Sequence, residues 1–418
     1  MYQSRLPNFI KKEFPKDEES YNAKILVRAG FVDKLMAGVY TYLPLGLRVL
    51  EKITNLVREE MNALGAQEIR MPALSPKENW QRTGRWESFD ALFKLIGRDK
   101  KEYALGPTHE EIVVPLSQKA IFSYKDLPLA LYQIQTKFRD EARAKAGLLR
   151  GKEFLMKDLY SFHADQKDLD SFYEKVSFAY KRIFQRLGLK ALKVEASGGT
   201  FSKYSHEFQV FLENGEDEIV YCSHCSFAQN KEIFEENKGY CPLCRSFSLK
   251  IGRASEVGNI FKLGTNYSHP FSLKYKDKEG KENLVLMGCY GIGISRLMGV
   301  LAEVFHDQDG LIWPANVAPF KVHLLALFGS NKKENRKILE RARQIYKKLT
   351  ALKIEVLFDE RLDKSAGEKL VESDLIGIPL RLVVSQKTKD KIEFKERKKK
   401  KAQLLGLSSI LSKINSLK

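Results

Sequence analysis

Three groups of residues in this 418-residue chain have types and spacings suited to chemistry. The first is Arg139 and Glu141, inside the charged stretch KFRDEARAKAGLLRGKEFLMKDLYSFH at 137–163. Residues two apart on a strand face the same side of a sheet. A guanidinium there takes a phosphate or carboxylate through two parallel bonds, and a carboxylate accepts from an exocyclic amine, so the pair can read a nucleotide. For F-R-x-E alone, a salt-bridged surface hairpin is the alternative. The second group is C-S-H-C at 222–225 and C-P-L-C at 241–244, with fifteen residues between the pairs. Two such turns can close a tetrahedral thiolate cage. This predicts structural zinc on Cys222, Cys225, Cys241 and Cys244, ahead of an iron–sulfur centre or a redox pair. His224 is a spare ligand, but four sulfurs leave no open position for a catalytic metal. The third is G-I-G-I-S-R at 291–296. A G-x-G alone resembles a dinucleotide loop, yet no acidic residue in a βαβ context follows at the required distance.

The elements that must position these groups are legible from periodicity. A strand is expected to end near Arg139, followed by a basic loop over 144–151 and a returning strand from Glu153. Upstream, Val49, Leu50, Ile53, Leu56, Val57 and Met61 predict a helix over 47–64, stopped by Gly65. A strand over 68–71 then meets Pro72. Residues 80–93 carry two tryptophans near arginines and fit either a cleft wall or a packed loop. After a Gly106–Pro107 turn, T-H-E-E at 108–111 reads as a helix cap with an acidic first turn. A packed helix is expected over 169–187 and a strand over 216–221. A strand reaching Met287, a tight turn made by glycines 288, 291 and 293, and a helix from Ile294 complete the body. Beyond a proline-bounded linker at 309–319, strands (321–328, 354–358, 380–384) alternate with helices (334–349, 365–376), predicting a small α/β domain with a mixed sheet.

Composition bounds the rest. Hydrophobic residues make up 43% of the chain, ample for two or three folded domains. No apolar run approaches a membrane span and the N-terminus lacks a signal-peptide core, so a cytoplasmic protein is expected. Net charge is +18, and residues 318–418 hold 25 Lys and Arg against 12 Asp and Glu. A basic C-terminal module fits a polyanionic partner such as nucleic acid, or a surface kept soluble by lysine. The same alternatives hold for Lys398–Lys401.

The stretch 137–163 resembles motif 2 of the class II aminoacyl-tRNA synthetases, and K-E-F-L-M-K-D-x-Y-S-F within it resembles the bacterial prolyl-tRNA synthetase version. Helix 47–64 through Pro72 resembles motif 1 (about 47–72), which forms the class II dimer interface and so implies a homodimer. Residues 284–303 resemble motif 3. The resemblance implies an α+β fold. A class II antiparallel-sheet catalytic domain would cover 1–314, with a short zinc knuckle at 222–254 where relatives hold an editing domain. An α/β anticodon-binding domain would cover 315–418. It implies that proline is activated with ATP, as its Mg2+ complex, and transferred to tRNA(Pro).

Thr108 and Glu110 match the family's T-x-E loop and would accept the two protons of proline's secondary ammonium. Met156, Asp158, Tyr160, Cys289 and Gly291 match proline-pocket positions. Arg139 would contact the ATP α-phosphate and the proline carboxylate, and Glu141 the adenine amine. Arg296 would lie on the γ-phosphate, with Arg150, Phe154, Glu256, Asn259 and Gly293 also on the nucleotide side. Arg150 is placed for the triphosphate or the tRNA acceptor end, Arg143 and Lys145 for the acceptor end or as solvated loop cations, and Ser205, His206 and Glu207 as pocket supports. His163 fits a structural role. Asp359, Arg361, Lys369 and Arg381 match anticodon-side positions. The short insertion implies that mischarged alanyl-tRNA is not edited in cis, leaving a free-standing editing protein or tolerated error. Rival readings are a threonyl- or seryl-tRNA synthetase and a catalytically dead synthetase-like subunit.

Overall fold

The structure is a computed structural model that describes residues 1–416 except 145, 200, 202, 203 and 235–238. Its contacts divide the chain into two compact units. One comprises Met36–Val39 and Ile53–Val300. The other joins Met1–Leu35, Tyr40–Lys52 and Leu301–Lys418. The expected boundary at 314/315 therefore misplaces the N-terminal segment, which packs with the C-terminal sheet. Tyr2 bridges Phe358 in parallel, and Gln3 Oε1 lies 2.8 Å from His323 Nε2. The Phe31 and Trp313 rings meet at a tilt of 44°, their centroids 5.2 Å apart. Hydropathy along the chain carries no sign of pairings that span more than 280 residues. Among the described residues, no helix is long and apolar enough to cross a membrane.

The larger unit is built on a nine-stranded sheet. In chain order its strands are β1 (Gln67–Glu68), β2 (Leu129–Phe138), β3 (Glu153–His163), β4 (Ala191–Ser197), β5 (Tyr204–Phe211), β6 (Asp217–Cys222), β7 (Ala228–Asn230), β8 (Leu249–Gly264) and β9 (Leu286–Gly293). They lie in the order β5-β4-β7-β6-β8-β9-β3-β2-β1, with β5 also pairing β8. The ladders are antiparallel except β1 on β2 and β7 on β4. The helix Gln166–Arg186 covers one face. It presents Leu169, Phe172, Val176, Ala179, Tyr180, Ile183 and Phe184, all buried at helical spacing. Tyr180 and Phe184 meet Phe208 of β5 at 5.3 and 5.5 Å. The opposite face carries polar side chains, and that face holds the site.

The smaller unit contains a five-stranded sheet in the order β11-β10-β12-β13-β14: β10 (Val322–Ala326), β11 (Val356–Asp359), β12 (Leu380–Val384), β13 (Ile392–Glu396) and β14 (Gln403–Leu405). The first three are parallel and the last two antiparallel, giving the expected mixed sheet. Strands β13 and β14 and the helix Leu407–Ser416 were hidden by the lysine-rich sequence, although Ile392 and Phe394 are buried in the core. Helix Ala366–Ile376 starts on a capping box. Ser365 Oγ accepts from Glu368 N at 3.2 Å, and Glu368 Oε2 accepts from Ser365 N at 2.9 Å. Ser365→Ala is expected to remove about 1 kcal/mol of stability. A thermal melt should show this unit's transition lowered by about 2–4 °C.

Candidate active site

Strand register aligns the polar face. Gln133, Asp158, Gly291, Asn259 and Glu207 form one row across β2, β3, β9, β8 and β5. The neighbouring row is Leu131, Tyr160, Cys289, Phe261 and Ser205. Because side chains alternate, Met156, Asp158 and Tyr160 share this face with Cys289, Gly291 and Gly293. The glycines do not make the expected turn. They lie inside β9, and the helix Ile294–Val304 follows directly. Gly291 keeps the surface open: a Cβ there would collide with Met156 Cε and Asn259 Oδ1. Gly288 lies on the opposite face, against Tyr290 and Ser161.

A cleft with about 570 Å³ of free space opens on this face. It is lined by Arg139, Glu141, Arg150, Phe154, Glu256, Asn259, Gly293 and Arg296, with Met156 and Gly291 on its floor. Arg139 N continues the β2–β3 ladder to Lys152 O at 2.8 Å, and its guanidinium lies 5.2 Å from the Phe154 ring. Its Nε is buried and has no hydrogen-bond acceptor among the described residues. Burial first, and then the charge of Arg296, make the Arg139 cation harder to hold than usual. Glu256, Glu141 and Glu110 act in the other direction. Arg296 is aimed by Leu149 O at 2.8 Å and by Glu256, through its carbonyl at 2.9 Å and its carboxylate at 3.3 Å. Glu141 accepts from Arg150 at 2.8 Å. Arg143 is exposed, and Lys145 falls outside the described residues.

The residues expected on the proline side do not line this cleft, apart from Met156, Gly291 and the shared Arg139. They form a buried cluster on the same face of the sheet. Thr108 Oγ1 donates to Glu110, and Cys289 Sγ donates to the other Glu110 oxygen at 3.1 Å. Tyr160 OH donates to Asp158 at 2.9 Å and accepts from His109 N at 2.9 Å. Three members had no expected role. Lys137 lies 2.7 Å from Asp158 Oδ1 and 2.6 Å from His109 Nδ1, and Gln133 donates to Asp158 at 3.0 Å. Lys137 donates to Nδ1, so the neutral His109 carries its proton on Nε2, 3.0 Å from Pro72 O. Burial and the Lys137 charge push the His109 pKa down to about 4. The signal was present in L-Y-Q-I-Q-T-K-F-R, where Gln133, Gln135, Lys137 and Arg139 recur every second residue. The tryptophan segment is packed: Trp80, Trp86, Leu92 and Ala104 form a buried cluster.

Of the support residues, Glu207 belongs to the polar row, where burial and Glu256 push its carboxyl up to about 8. His206 faces away, bonded to Tyr173 OH at 2.7 Å, and Ser205 Oγ donates to Ser197 O at 3.1 Å. His163 is satisfied by Asp168 at 2.7 Å and Ser161 at 2.8 Å, as its structural role requires. The four knuckle cysteines are free thiols whose sulfurs lie within 4.8 Å of one another. The pairs Cys222–Cys244 and Cys225–Cys241 are 3.6 and 3.5 Å apart. A tetrahedral zinc with bonds of about 2.3 Å needs sulfur separations of roughly 3.8 Å, so the cluster fits that ion. Backbone N–H groups of His224 and Phe227 already point at Cys222 and Cys225 sulfurs, as thiolate ligands require. The His224 ring nitrogen lies instead 3.4 Å from the Ser223 and Ser246 hydroxyls.

The anticodon-side assignments need correction. Asp359 and Lys369 are fully buried, with Lys369 Nζ 2.8 Å from Ala326 O and 3.5 Å from Asp359 Oδ1. Arg361 spans Asp359 and Glu372 at 2.7 and 2.6 Å, and Arg381 is paired with Asp374 at 2.9 Å. Buried charges must be paired, and these pairs consume the groups that would have met a base.

A family model described as "tRNA synthetase class II core domain (G, H, P, S and T)" matches residues 93–305, and one described as "Anticodon binding domain" matches 321–417. A proline–tRNA ligase of Sulfurihydrogenibium sp. (strain YO3AOP1) is 35% identical, with 96% of this chain and 97% of the relative aligned. One of Caldicellulosiruptor bescii is 36% identical over 94% of each chain. The crystal structure of prolyl-tRNA synthetase from Cryptosporidium parvum, complexed with halofuginone and AMPPNP, superposes with a TM-score of 0.78. It is 20% identical and the match covers 95% of this chain and 76% of that one, so it bears on the fold alone. With both family models matched and identity sustained from end to end, this chain belongs to the proline–tRNA ligases of the class II aminoacyl-tRNA synthetases.

Proposed function

We propose that this protein is a proline–tRNA ligase. It activates L-proline with ATP to prolyl-adenylate, releases pyrophosphate, and transfers the prolyl group to the 3′ end of tRNA(Pro), releasing AMP. One observation carries the assignment of roles: Arg139 and Arg296 line the same cleft, and of its floor residues Gly291 pairs with Asp158 of the buried cluster while Met156 precedes Asp158 on the same face of β3. ATP enters as its Mg2+ complex. Arg296 takes the γ-phosphate, and Arg139, whose Nε lacks an acceptor, takes the α-phosphate and the proline carboxylate. The adenine amine goes to Glu141, which exchanges its bond to Arg150 and frees that cation for the triphosphate or the tRNA acceptor end. Proline's ammonium is received by Thr108 and Glu110, replacing their mutual hydrogen bond. A carboxylate oxygen then attacks the α-phosphorus in line. No protein nucleophile is required, and catalysis is positioning plus charge stabilisation. The terminal ribose hydroxyl of tRNA attacks the mixed anhydride next.

The knuckle sulfurs would hold one structural zinc, tying the turn between β6 and β7 to the segment that leads from β7 into β8. A homodimer through the motif 1 region fits the family. The match to the Sulfurihydrogenibium relative runs over 553 residues, against 418 in this chain, so that relative carries a long stretch with no counterpart here. This supports the absence of editing in cis. A snug proline pocket still admits alanine, since a lost methylene gives only about 1–3 kcal/mol of discrimination. Clearance of alanyl-tRNA(Pro) then falls to a separate protein, or the error is tolerated.

ATP–pyrophosphate exchange with a panel of amino acids tests the reading. Exchange should depend on proline; dependence on threonine or serine, or none at all, would favour the rivals. Arg139→Ala should lower exchange by at least about 100-fold with the melting temperature preserved. Gly291→Ala should raise KM for proline and ATP together, because its methyl displaces Met156 and Asn259. Purified protein should contain about one zinc per chain, and chelation should expose four thiols to a thiol reagent. Metal-free protein with the same thiol protection would refute the zinc assignment.

A further inference from the structure

Behind Glu110 lies a second ion pair that the reaction as described does not use. Arg85 is buried, and its Nη1 lies 2.9 Å and 3.2 Å from the two oxygens of Glu111 and 3.5 Å from Glu110 Oε2. Four rings surround its guanidinium: Phe89 and Phe201 at 4.8 Å, Trp80 at 5.4 Å and Tyr267 at 5.6 Å. Its Nε and Nη2 are buried with no acceptor among the described residues. A packed apolar core gains little from such a group, because a buried charge with unmet donors is destabilising relative to a hydrophobic side chain of similar volume. Thr83 Oγ1 also donates to Glu111, at 2.9 Å, on the oxygen nearer Arg85.

Arg139, in the adjoining cleft, also acts on Glu110, but only as the last of its charge partners after Arg296, Glu256 and Glu141, so the balance is set within the hydrogen-bonded cluster. Glu110, Glu111 and Asp158 are the acids; Arg85 and Lys137 are the cations; His109 is neutral. Lys137 answers Asp158, and Arg85 answers Glu111 at the shorter distance. One negative charge remains, on the carboxylate that also faces Thr108 and Cys289. We infer that Arg85 and Glu111 are positioning residues that set the charge of the proline-ammonium site: their mutual neutralisation leaves Glu110 the single uncompensated anion for a single cationic substrate group. Burial pushes the Glu111 carboxyl up, and Arg85 is the main influence holding charge on it. Removing Glu111's charge would turn Arg85 on Glu110. Removing Arg85 would make two adjacent carboxylates share a proton. Either change lowers the negative charge offered to substrate, and changing both together restores it.

The inference rests on the proline-ligase reading, and a double-mutant cycle on the full chain separates the two. Proline-dependent exchange by the wild type is the control, and its absence would sink the functional reading itself. Given that exchange, Glu111→Gln and Arg85→Gln should each raise KM for proline at least about 10-fold, with smaller effects on kcat and KM for ATP. The double variant should return KM for proline to within about 3-fold of wild type, a coupling that independent structural damage does not produce. A double variant as impaired as the worse single, or a Glu111→Gln enzyme with unchanged KM for proline, would overturn the inference. Should a single variant fail to fold, Arg85→Lys decides: the retained charge predicts KM for proline within about 3-fold of wild type, and a rise beyond about 10-fold overturns the proposal.

Discussion

Two guanidinium groups share one cleft, and the rest of the larger unit is arranged to keep them there. Arg139 and Arg296 repel one another across a partly desolvated space, where the screening that water would supply is reduced. Glu256 anchors Arg296, while Arg139 keeps a buried Nε unmet and rests on Phe154. Such an arrangement is costly in the free protein, a cost that a polyphosphate between the two cations, as in the proposed function, would offset. That asymmetry is what a site needs if it must bind charge that develops during reaction, since preorganised donors need not reorganise when the α-phosphorus is attacked.

Register turns this requirement into a constraint on the fold. One row crosses five strands through Gln133, Asp158, Gly291, Asn259 and Glu207, and a shift of one residue in any strand would move its member to the helix-covered face. That face has an opposite character. There Lys157 bonds Tyr180 OH at 2.5 Å and Tyr290 O at 2.9 Å with no carboxylate partner among the described residues, and burial pushes its pKa down to about 7. The glycines of β9 follow from the same geometry. A strand leaves its face open only where its side chains stop, and G-I-G at 291–293 does that within β9: a Cβ at Gly291 would meet Met156 and Asn259.

The sequence carried the local features well. The strands around Arg139, the helix over 166–186 and the four-cysteine cluster are set by alternation, helical spacing and ligand spacing, which are properties of neighbouring residues. What it hid was long-range. Nothing near Tyr2 signals a bridge to Phe358, and nothing near Arg85 signals Glu111, although both residues stand in stretches that drew notice. The roles of 288, 291 and 293 were misread for a related reason. A run of glycines suggests a turn on local grounds, and only the pairing of β9 between β3 and β8 makes it a strand. The anticodon-side residues failed differently: position in the family was legible, but burial was not.

That last failure sharpens the account of the basic C-terminal region. Arg361, Lys369, Arg381 and Arg397 are cations paired with Asp359, Glu372, Asp374 and Asp307, so their charges largely cancel in the field outside the protein. The positive surplus must then reside on the exposed set. Helix Lys332–Ala351 buries Ile338, Ala342, Ile345 and Leu349 along one stripe and exposes Lys332, Lys333, Arg336, Lys337, Arg343, Lys347 and Lys348 around it. Lys398–Lys401 are exposed as well. Lysines of this kind attract a phosphate backbone without reading its sequence, and they lose strength with salt. Two sets of charges therefore divide this unit: exposed lysines that project a positive field, and inward-held cations neutralised by their own acidic partners.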